Sequence, residues 1–331
     1  MNDKTLRILI SSAAALIFVL FLMESGSKKG TTDSADLLLP DMQAVVNDAD
    51  FIQISAAGSA PIEIVKIDGQ WKVPNRQDYI ADFAIVRDIL ASMAQAKILE
   101  KKTANPALHN RLGLEETTIE NSKGTDILAR VGNAEFNLIF GTVSQGQFRY
   151  ARIAGDNQSW LVDQNPDIPS ESANWLKKEI IDIDSTRIKA VTITHPDGEI
   201  ISVYKTSAEQ PNFEVANIPP GRELTYSTVG NGIGGALNDL DLEDVRKAIE
   251  GSELVITEFT TFDGLNILVK TIIEDEANWI SLEVTSEKTE NSEASEIMSQ
   301  TSGWQYQIPS YKANLLTRKL EDILKPNQEE E

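Results

Sequence analysis

The sequence predicts an α+β protein made of two tandem copies of one unit, each a mainly antiparallel sheet with one long helix and a closing helix. Residues 168–180 recur as residues 308–320 with six of thirteen positions identical, which is typical of an internal duplication. Short runs that alternate apolar and polar residues, joined by hairpin turns, indicate antiparallel strands. Longer runs with helical spacing lie between them.

An N-terminal transmembrane helix is expected before these repeats. Residues 8–23 are uncharged and apolar and follow Lys4 and Arg7. A spanning helix usually takes about 20 residues, and a snorkelling Arg7 can extend the run. A cleaved signal peptide is the alternative. Lys4 and Arg7 predict that residues 1–7 form a cytoplasmic stub. The body of the protein is therefore expected in the periplasm, anchored by a single span in the bacterial inner membrane.

Repeat 1 is expected over residues 51–184, after a polar tether and lead-in at 24–50. Asp68-Gly69 is a hairpin turn signal. Helical spacing of apolar residues predicts a helix over 81–100 with Asp82 as its N-cap. A second helix is predicted over 172–180. Strands are predicted at 51–54, 62–67, 71–73, 117–119, 127–131, 136–140, 148–153 and 160–162.

Repeat 2 is expected over residues 185–325. Tyr226 matches Tyr79 in the alignment of the two copies, which predicts a second long helix over 235–248. The acidic stretch 286–302 predicts a disordered loop, and residues 326–331 an acidic tail. The segment that begins at Ile308 predicts the closing helix. Strands are predicted at 188–194, 200–204, 213–215, 255–259, 265–273 and 279–284.

Composition excludes several classes of function. The net charge of -21 argues against nucleic acid binding, which needs clustered Lys and Arg to neutralise phosphates. The chain has no cysteine, so disulfides, thiolate metal sites and cysteine nucleophiles are ruled out.

No catalytic, cofactor or metal site is predicted. Residues 230–235 satisfy G-x-G-x-x-G, but a dinucleotide site needs a parallel βαβ unit around it, and this chain is predicted to be antiparallel. His109 and His195 have no second ligand at metal spacing. Asp182 and Asp184 lack the glycine and glutamate of a calcium loop. We therefore expect the protein not to be an enzyme.

The larger aromatic residues lie at strand or repeat-equivalent positions, which predicts core packing. A partner-binding face that exposes one or two of them is the alternative. These residues are Trp71, Tyr79, Trp160, Trp175, Phe213, Tyr226, Trp279 and Trp304.

A set of landmarks in repeat 1 resembles a bacterial family of unknown function that is encoded beside gliding-motility-type ABC transporter auxiliary proteins. The landmarks are Trp71-Lys72-Val73, Tyr79-Ile80-Ala81-Asp82, Gly141 with Tyr150-Ala151-Arg152, and Trp175-Leu176. The resemblance covers about residues 51–183, and repeat 2 is a degraded copy. It implies an anchored extracytoplasmic body and a transporter partner, and it offers no catalytic residues.

The expected function is therefore that of a non-enzymatic, membrane-anchored accessory protein of an ABC-type transport or cell-envelope complex. Its expected partners are the membrane, through residues 8–23, and the membrane or auxiliary subunits of such a transporter. The first alternative is a periplasmic peptide- or glycan-binding module with a cleaved signal peptide. The second is a hydrolase of unrecognised type.

Overall fold

The computed structural model describes residues 37–249, 254–274, 277–287 and 292–326. Two large antiparallel sheets dominate it and helices are few, as expected for the α+β class. The predicted anchor at 8–23 and all but the first residue of the predicted tail lie outside the described residues. Within those residues, no helix is long and apolar enough to cross a membrane.

Sheet 1 is built from the strands of repeat 1. These are β1 (Ala49–Ala56), β2 (Ile62–Ile67), β3 (Gln70–Val73), β4 (Tyr79–Ile80), β5 (Ile98–Lys101), β6 (Thr125–Val131), β7 (Ala134–Ser144), β8 (Phe148–Ile153) and β9 (Ser159–Val162). Their order across the sheet is β4-β3-β2-β1-β6-β7-β8-β9-β5. Alternate side chains such as Ile52 and Ile54 are buried on the core face, as the period of two in their sequences predicts.

Sheet 2 is built from the strands of repeat 2. These are β11 (Ile188–Thr194), β12 (Ile200–Tyr204), β13 (Glu214–Val215), β15 (Asp244–Lys247), β16 (Val255–Thr261), β17 (Leu265–Glu274), β18 (Ala277–Ser286) and β19 (Trp304–Ile308). The remaining strands, β10 (Glu179–Ile181) and β14 (Leu240–Asp241), pair with each other between the two sheets.

The two sheets share one topology. The order in sheet 2 is β13-β12-β11-β16-β17-β18-β19-β15, which repeats sheet 1 strand for strand except that β4 has no counterpart. Each sheet also carries a register shift near the start of its first strand, at Ala49/Phe51 in β1 and at Ile188/Ala190 in β11. Two copies of one unit account for both features.

Helix α2 of repeat 1 is the long helix that the sequence predicts. The described helices are α1 (Pro40–Gln43), α2 (Phe83–Ala94), α3 (His109–Leu112), α4 (Gly230–Gly234), α5 (Ser292–Thr301) and α6 (Ser310–Leu316). Asp82 caps α2 as predicted, its carboxylate accepting the Ala84 N–H at 2.8 Å. The helix ends at Ala94, and not at 100, because residues 98–101 pair with β9 as strand β5.

The predicted second long helix, over 235–248, is wrong. The short helix α4 ends at Gly234, before this range begins, and residues 235–248 form turns followed by β14 and β15. Phe213 lies against this helix so closely that a Cβ on Gly234 would stand 2.2 Å from its ring. Gly234, with Gly230 one turn earlier, therefore makes room for an aromatic core residue.

Three other local predictions are wrong. Residues 117–119 lie in turns and bends and find no strand partner. The predicted helix over 172–180 is a 3₁₀ turn (Ser172–Trp175) followed by β10. Within the predicted disordered loop 286–302, residues 292–301 form α5, which is held at the edge of β18 by the Met298 sulfur accepting the Val284 N–H at 3.0 Å.

The alignment of Tyr226 with Tyr79 is also wrong. Leu224 forms an isolated bridge with Leu324, as Ala81 does with Leu176. Counting on from these bridges, Tyr226 takes the place of Phe83, and both side chains are more than half exposed. The loop that precedes the bridge is one residue longer in repeat 2, 216–223 against 74–80. Aligning the two tyrosines instead requires an insertion of five residues in this loop.

A junction between the repeats joins the two sheets. Tyr79 of β4 packs edge-on against Trp304 of β19, with ring centroids 5.0 Å apart, and against Tyr306 at 6.0 Å. The Arg76 guanidinium lies 2.6 Å from the Asp244 carboxylate. The Gln77 side-chain oxygen accepts the Lys247 N–H at 2.6 Å. The corner after β3 thus covers the outer edge of β15, an edge that would otherwise be open to strand pairing.

Replacing Tyr79 by Ala is expected to lower the free energy of unfolding by about 3–5 kcal/mol, the usual cost of removing a large buried aromatic side chain. Tyr79 is 7% exposed, whereas Tyr226 is 59% exposed. Tyr226→Ala is the matched control and should change stability by less than about 0.5 kcal/mol. Chemical denaturation of the two variants measures both values, and equal losses would contradict the burial of Tyr79 at the junction.

Candidate functional site

The two histidines have structural partners. A ring nitrogen of His109 lies 2.9 Å from the Asn157 carbonyl oxygen, and one of His195 lies 3.1 Å from that of Arg318. Both side chains are buried. These contacts fasten α3 to the β8–β9 turn, and the β11–β12 turn to the chain that follows α6.

The two aspartates after β10 also make local contacts. Asp182 accepts the Asp239 N–H at 3.0 Å, and Asp184 accepts the Thr186 N–H at 2.8 Å. Across the part of the chain that the structure describes, no group of three His, Cys, Asp or Glu side chains is arranged to hold a metal ion.

In repeat 1, the chain between β5 and β6 covers the outer face of sheet 1. We call residues 106–116 the covering segment. Leu114 is fully buried there, as is Ile139 of β7, yet neither belongs to the main core. The Arg152 guanidinium donates to the Leu114 carbonyl at 2.7 and 3.0 Å and contacts the Glu116 carboxylate at 2.8 Å. Arg152 thus binds the covering segment largely through a backbone acceptor.

Gly141 of β7 lets the covering segment approach the sheet. A Cβ there would lie 2.2 Å from the Leu112 carbonyl oxygen and 2.8 Å from the Leu114 side chain. The neighbouring Thr142 hydroxyl donates to that same carbonyl at 3.2 Å. Gly141 and Arg152, both landmarks of the sequence resemblance, are therefore the two sheet residues that receive the covering segment.

The described residues of repeat 2 show no counterpart of the covering segment, and the connection from β15 to β16 comprises only residues 248–254, against 102–124 in repeat 1. The strand registers equate Lys270 with Ile139 and Ser281 with Arg152. Two residues further along β17, Ile272 stands where repeat 1 has Gly141. Gly141 and Arg152, which receive the covering segment in repeat 1, and the neighbouring Ile139 have thus all been replaced.

These three replacements line a cavity of about 580 Å³ on the outer face of sheet 2. We call it the outer cavity. Ile249, Leu254 and Met298 supply apolar walls. The floor carries an ion pair between Lys270 and Glu283, 2.5 Å apart. The cavity thus occupies the place that the chain itself fills in repeat 1, and its volume is that of an ordinary ligand pocket, about 300–1,000 Å³.

A second surface distinguishes the repeats. On β15 and β19 the Lys247 ammonium lies 3.3 Å above the Trp304 ring, where repeat 1 docks. The edge of β5 and β9 carries a similar pair, Lys101 and Trp160 at 5.9 Å, in which Trp160 stands where repeat 2 has Tyr306. No strand of the described chain pairs with the outer edge of β5 over residues 98–101. We call this edge, with Leu99, Lys101 and Trp160, the open edge.

Neither surface was found from the sequence. Trp160 was expected in the core, but it is only partly buried and Leu99 beside it is 47% exposed. Trp71, Tyr79, Trp175 and Phe213 are buried as predicted. The sequence does contain one indication of the outer cavity, which is the short connection before residue 255. This connection can be recognised as short only when the strands of the two repeats are aligned.

The chain was compared with known proteins. A family model, described as a domain of unknown function (DUF4340), matches residues 71–254, more than half of the chain. The chain belongs to the DUF4340 family. No curated protein and no solved structure matches it. The DUF4340 match confirms the expected membership in a family of unknown function, and it runs from β3 through the junction to the connection between β15 and β16.

Replacing Arg152 by Leu is expected to destabilise the protein by at least about 2 kcal/mol, because each buried acceptor left unpaired costs about 1–3 kcal/mol. Arg152 is 3% exposed and also donates to the Asp156 carbonyl at 2.8 Å. Arg87→Leu, which removes an exposed ion pair with Asp88, is the control and should cost less than about 1 kcal/mol. Urea unfolding of both variants decides between an anchoring and a peripheral role for Arg152.

Asp126 of β6 should make stability depend on pH. Burial, with a smaller contribution from Glu116, raises the pKa of Asp126 from 3.8 to about 6. The folded protein then binds more protons than the unfolded chain between these values, so the free energy of unfolding should fall as pH rises from about 4 to 6. Asp126→Asn should flatten this part of the profile. Unfolding of both proteins at several pH values gives the test, and identical slopes would contradict it.

Proposed function

We propose that this protein is a non-enzymatic, membrane-anchored accessory subunit of an ABC-type transport or cell-envelope complex, with its body in the periplasm. The open edge carries this proposal. Its repeat-equivalent on β15 and β19 binds protein within the same molecule, through the Arg76–Asp244 ion pair and the contact of Tyr79 with Trp304. A surface of the same construction on repeat 1 suits a second protein.

The position of the open edge fits an anchored protein. Leu37, the first described residue, bridges Lys97 at the start of this edge, so the chain enters the body beside it. An anchor at 8–23 and a tether at 24–36 would hold the edge close to the membrane. Tethering raises the effective concentration of a membrane-bound partner without adding any contact.

The charge of the open edge indicates the kind of partner surface. The strand registers equate Glu100 of β5 with Asp244 of β15, since their partners Leu161 and Gln307 are equivalent. The internal junction uses an arginine against Asp244. The same sign on repeat 1 favours a basic group in the corresponding place on the partner.

Affinity purification of the tagged full chain from membranes should recover the membrane or auxiliary subunits of an ABC transporter. Leu99→Glu should lower this recovery at least tenfold, because it places a carboxylate in the centre of the open edge. Quantitative mass spectrometry of the purified material measures the ratio.

Ile119→Glu is the matched control, since Ile119 is 48% exposed and Leu99 47%, and Ile119 lies away from β5. This variant should retain the partner. Absence of any transporter subunit from the wild-type purification would contradict the proposed function. Recovery that is equal in both variants would show that the open edge is not the contact surface.

A further inference from the structure

The outer cavity of repeat 2 and the covering segment of repeat 1 occupy the same place on the duplicated fold. The equivalences rest on backbone register: Ile54 pairs with Ile127 in sheet 1, as Ile193 pairs with Thr257 in sheet 2. Following the paired residues from each strand to the next shows that Arg152 of sheet 1 and Ser281 of sheet 2 occupy equivalent positions. The segment that sheet 1 binds at this place therefore indicates what kind of ligand sheet 2 can bind at the equivalent place.

Sheet 1 binds a stretch of polypeptide there. It does so by accepting one leucine side chain, Leu114, into an apolar site and by donating side-chain hydrogen bonds to two backbone carbonyls, those of Leu112 and Leu114. The bound backbone is the end of α3 and the two residues that follow it. These contacts therefore suit a short peptide that carries one helical turn.

The outer cavity offers the same kinds of group. Ile249, Leu254 and Met298 provide an apolar wall, and Ser281, Ser302 and Lys270 provide donors toward the lumen. Because Lys270 is already neutralised by Glu283 at 2.5 Å, the site carries no uncompensated charge of either sign. A site without net charge attracts a small anion or a metal ion only weakly. A peptide backbone carries both donors and acceptors, so it can form hydrogen bonds with both members of the ion pair.

We propose that the outer cavity of repeat 2 is a binding site for a short peptide segment of another protein, with one leucine-sized apolar side chain seated against Ile249, Leu254 and Met298. The partner segment takes the role that the covering segment plays in repeat 1. The site lies on sheet 2, whereas the open edge lies on sheet 1, so this inference does not depend on the proposed transporter contact.

Selection from a random dodecapeptide library displayed on phage tests the proposal, with the immobilised full chain in detergent as target. Ser281→Trp fills the floor of the cavity. Ser202→Trp places the same side chain on the same face of sheet 2, on β12, outside the cavity lining. Selected peptides, synthesised and measured by calorimetry, should bind Ser281→Trp at least tenfold more weakly than the wild type and Ser202→Trp equally well.

Thermal unfolding of both variants checks that they are folded. Ser281→Ala is a second variant that does not fill the cavity. It should bind within about threefold of the wild type if Ser281→Trp acts by occupying space. Enrichment of no peptide, or of peptides that bind all variants equally, would overturn the proposal. So would binding of an oligosaccharide panel, and not of peptides, that is lost in Ser281→Trp.

Discussion

The contact of Tyr79 with Trp304 and Tyr306 is the interaction on which the rest of the molecule depends. It lies where the edge of sheet 1 meets the edge of sheet 2, and backbone hydrogen bonds extend it on both sides. The Lys177 N–H donates to the Ile80 carbonyl at 3.0 Å, and the Leu242 N–H donates to the Lys178 carbonyl at 2.9 Å. The segment between the repeats thus bridges the two sheets, and their buried residues form one continuous hydrophobic cluster.

This junction also explains why the two copies have diverged. In repeat 2, β15 is covered by repeat 1, so its edge residues serve an internal contact. In repeat 1, no strand of the described chain covers the same edge on β5 over residues 98–101. A sheet edge that is left open in this way must either be blocked or be used for binding.

The outer faces of the sheets diverge in a complementary way. In repeat 1 the long connection 102–124 contains the covering segment, which lies on the outer face of sheet 1 and contacts Arg152 and Gly141. Repeat 2 shortens that connection to 248–254 and instead inserts α5 between β18 and β19. One face is therefore closed by the chain itself, while the other keeps a cavity lined by residues of both α5 and the sheet. The core faces, in contrast, are alike, because the alternation of buried residues that defines them is common to both copies.

The sequence by itself determined the features that depend on local periodicity: the strands, whose buried residues alternate, and the α2 helix with its Asp82 cap. It also indicated two copies of one unit, although the strand registers equate Ile308 with Val162, six residues from its sequence match at Ile168. Only the tertiary structure decided the features that depend on distant contacts. Residues 98–101 are a strand because β9 offers them hydrogen bonds, and Gly230 and Gly234 are needed because Phe213 lies against them. Tyr79 is buried because β19 of the other sheet lies against it. The outer cavity and the open edge are surfaces that no other part of the described chain covers. Local sequence does not reveal this, because only the complete fold decides which surfaces are covered.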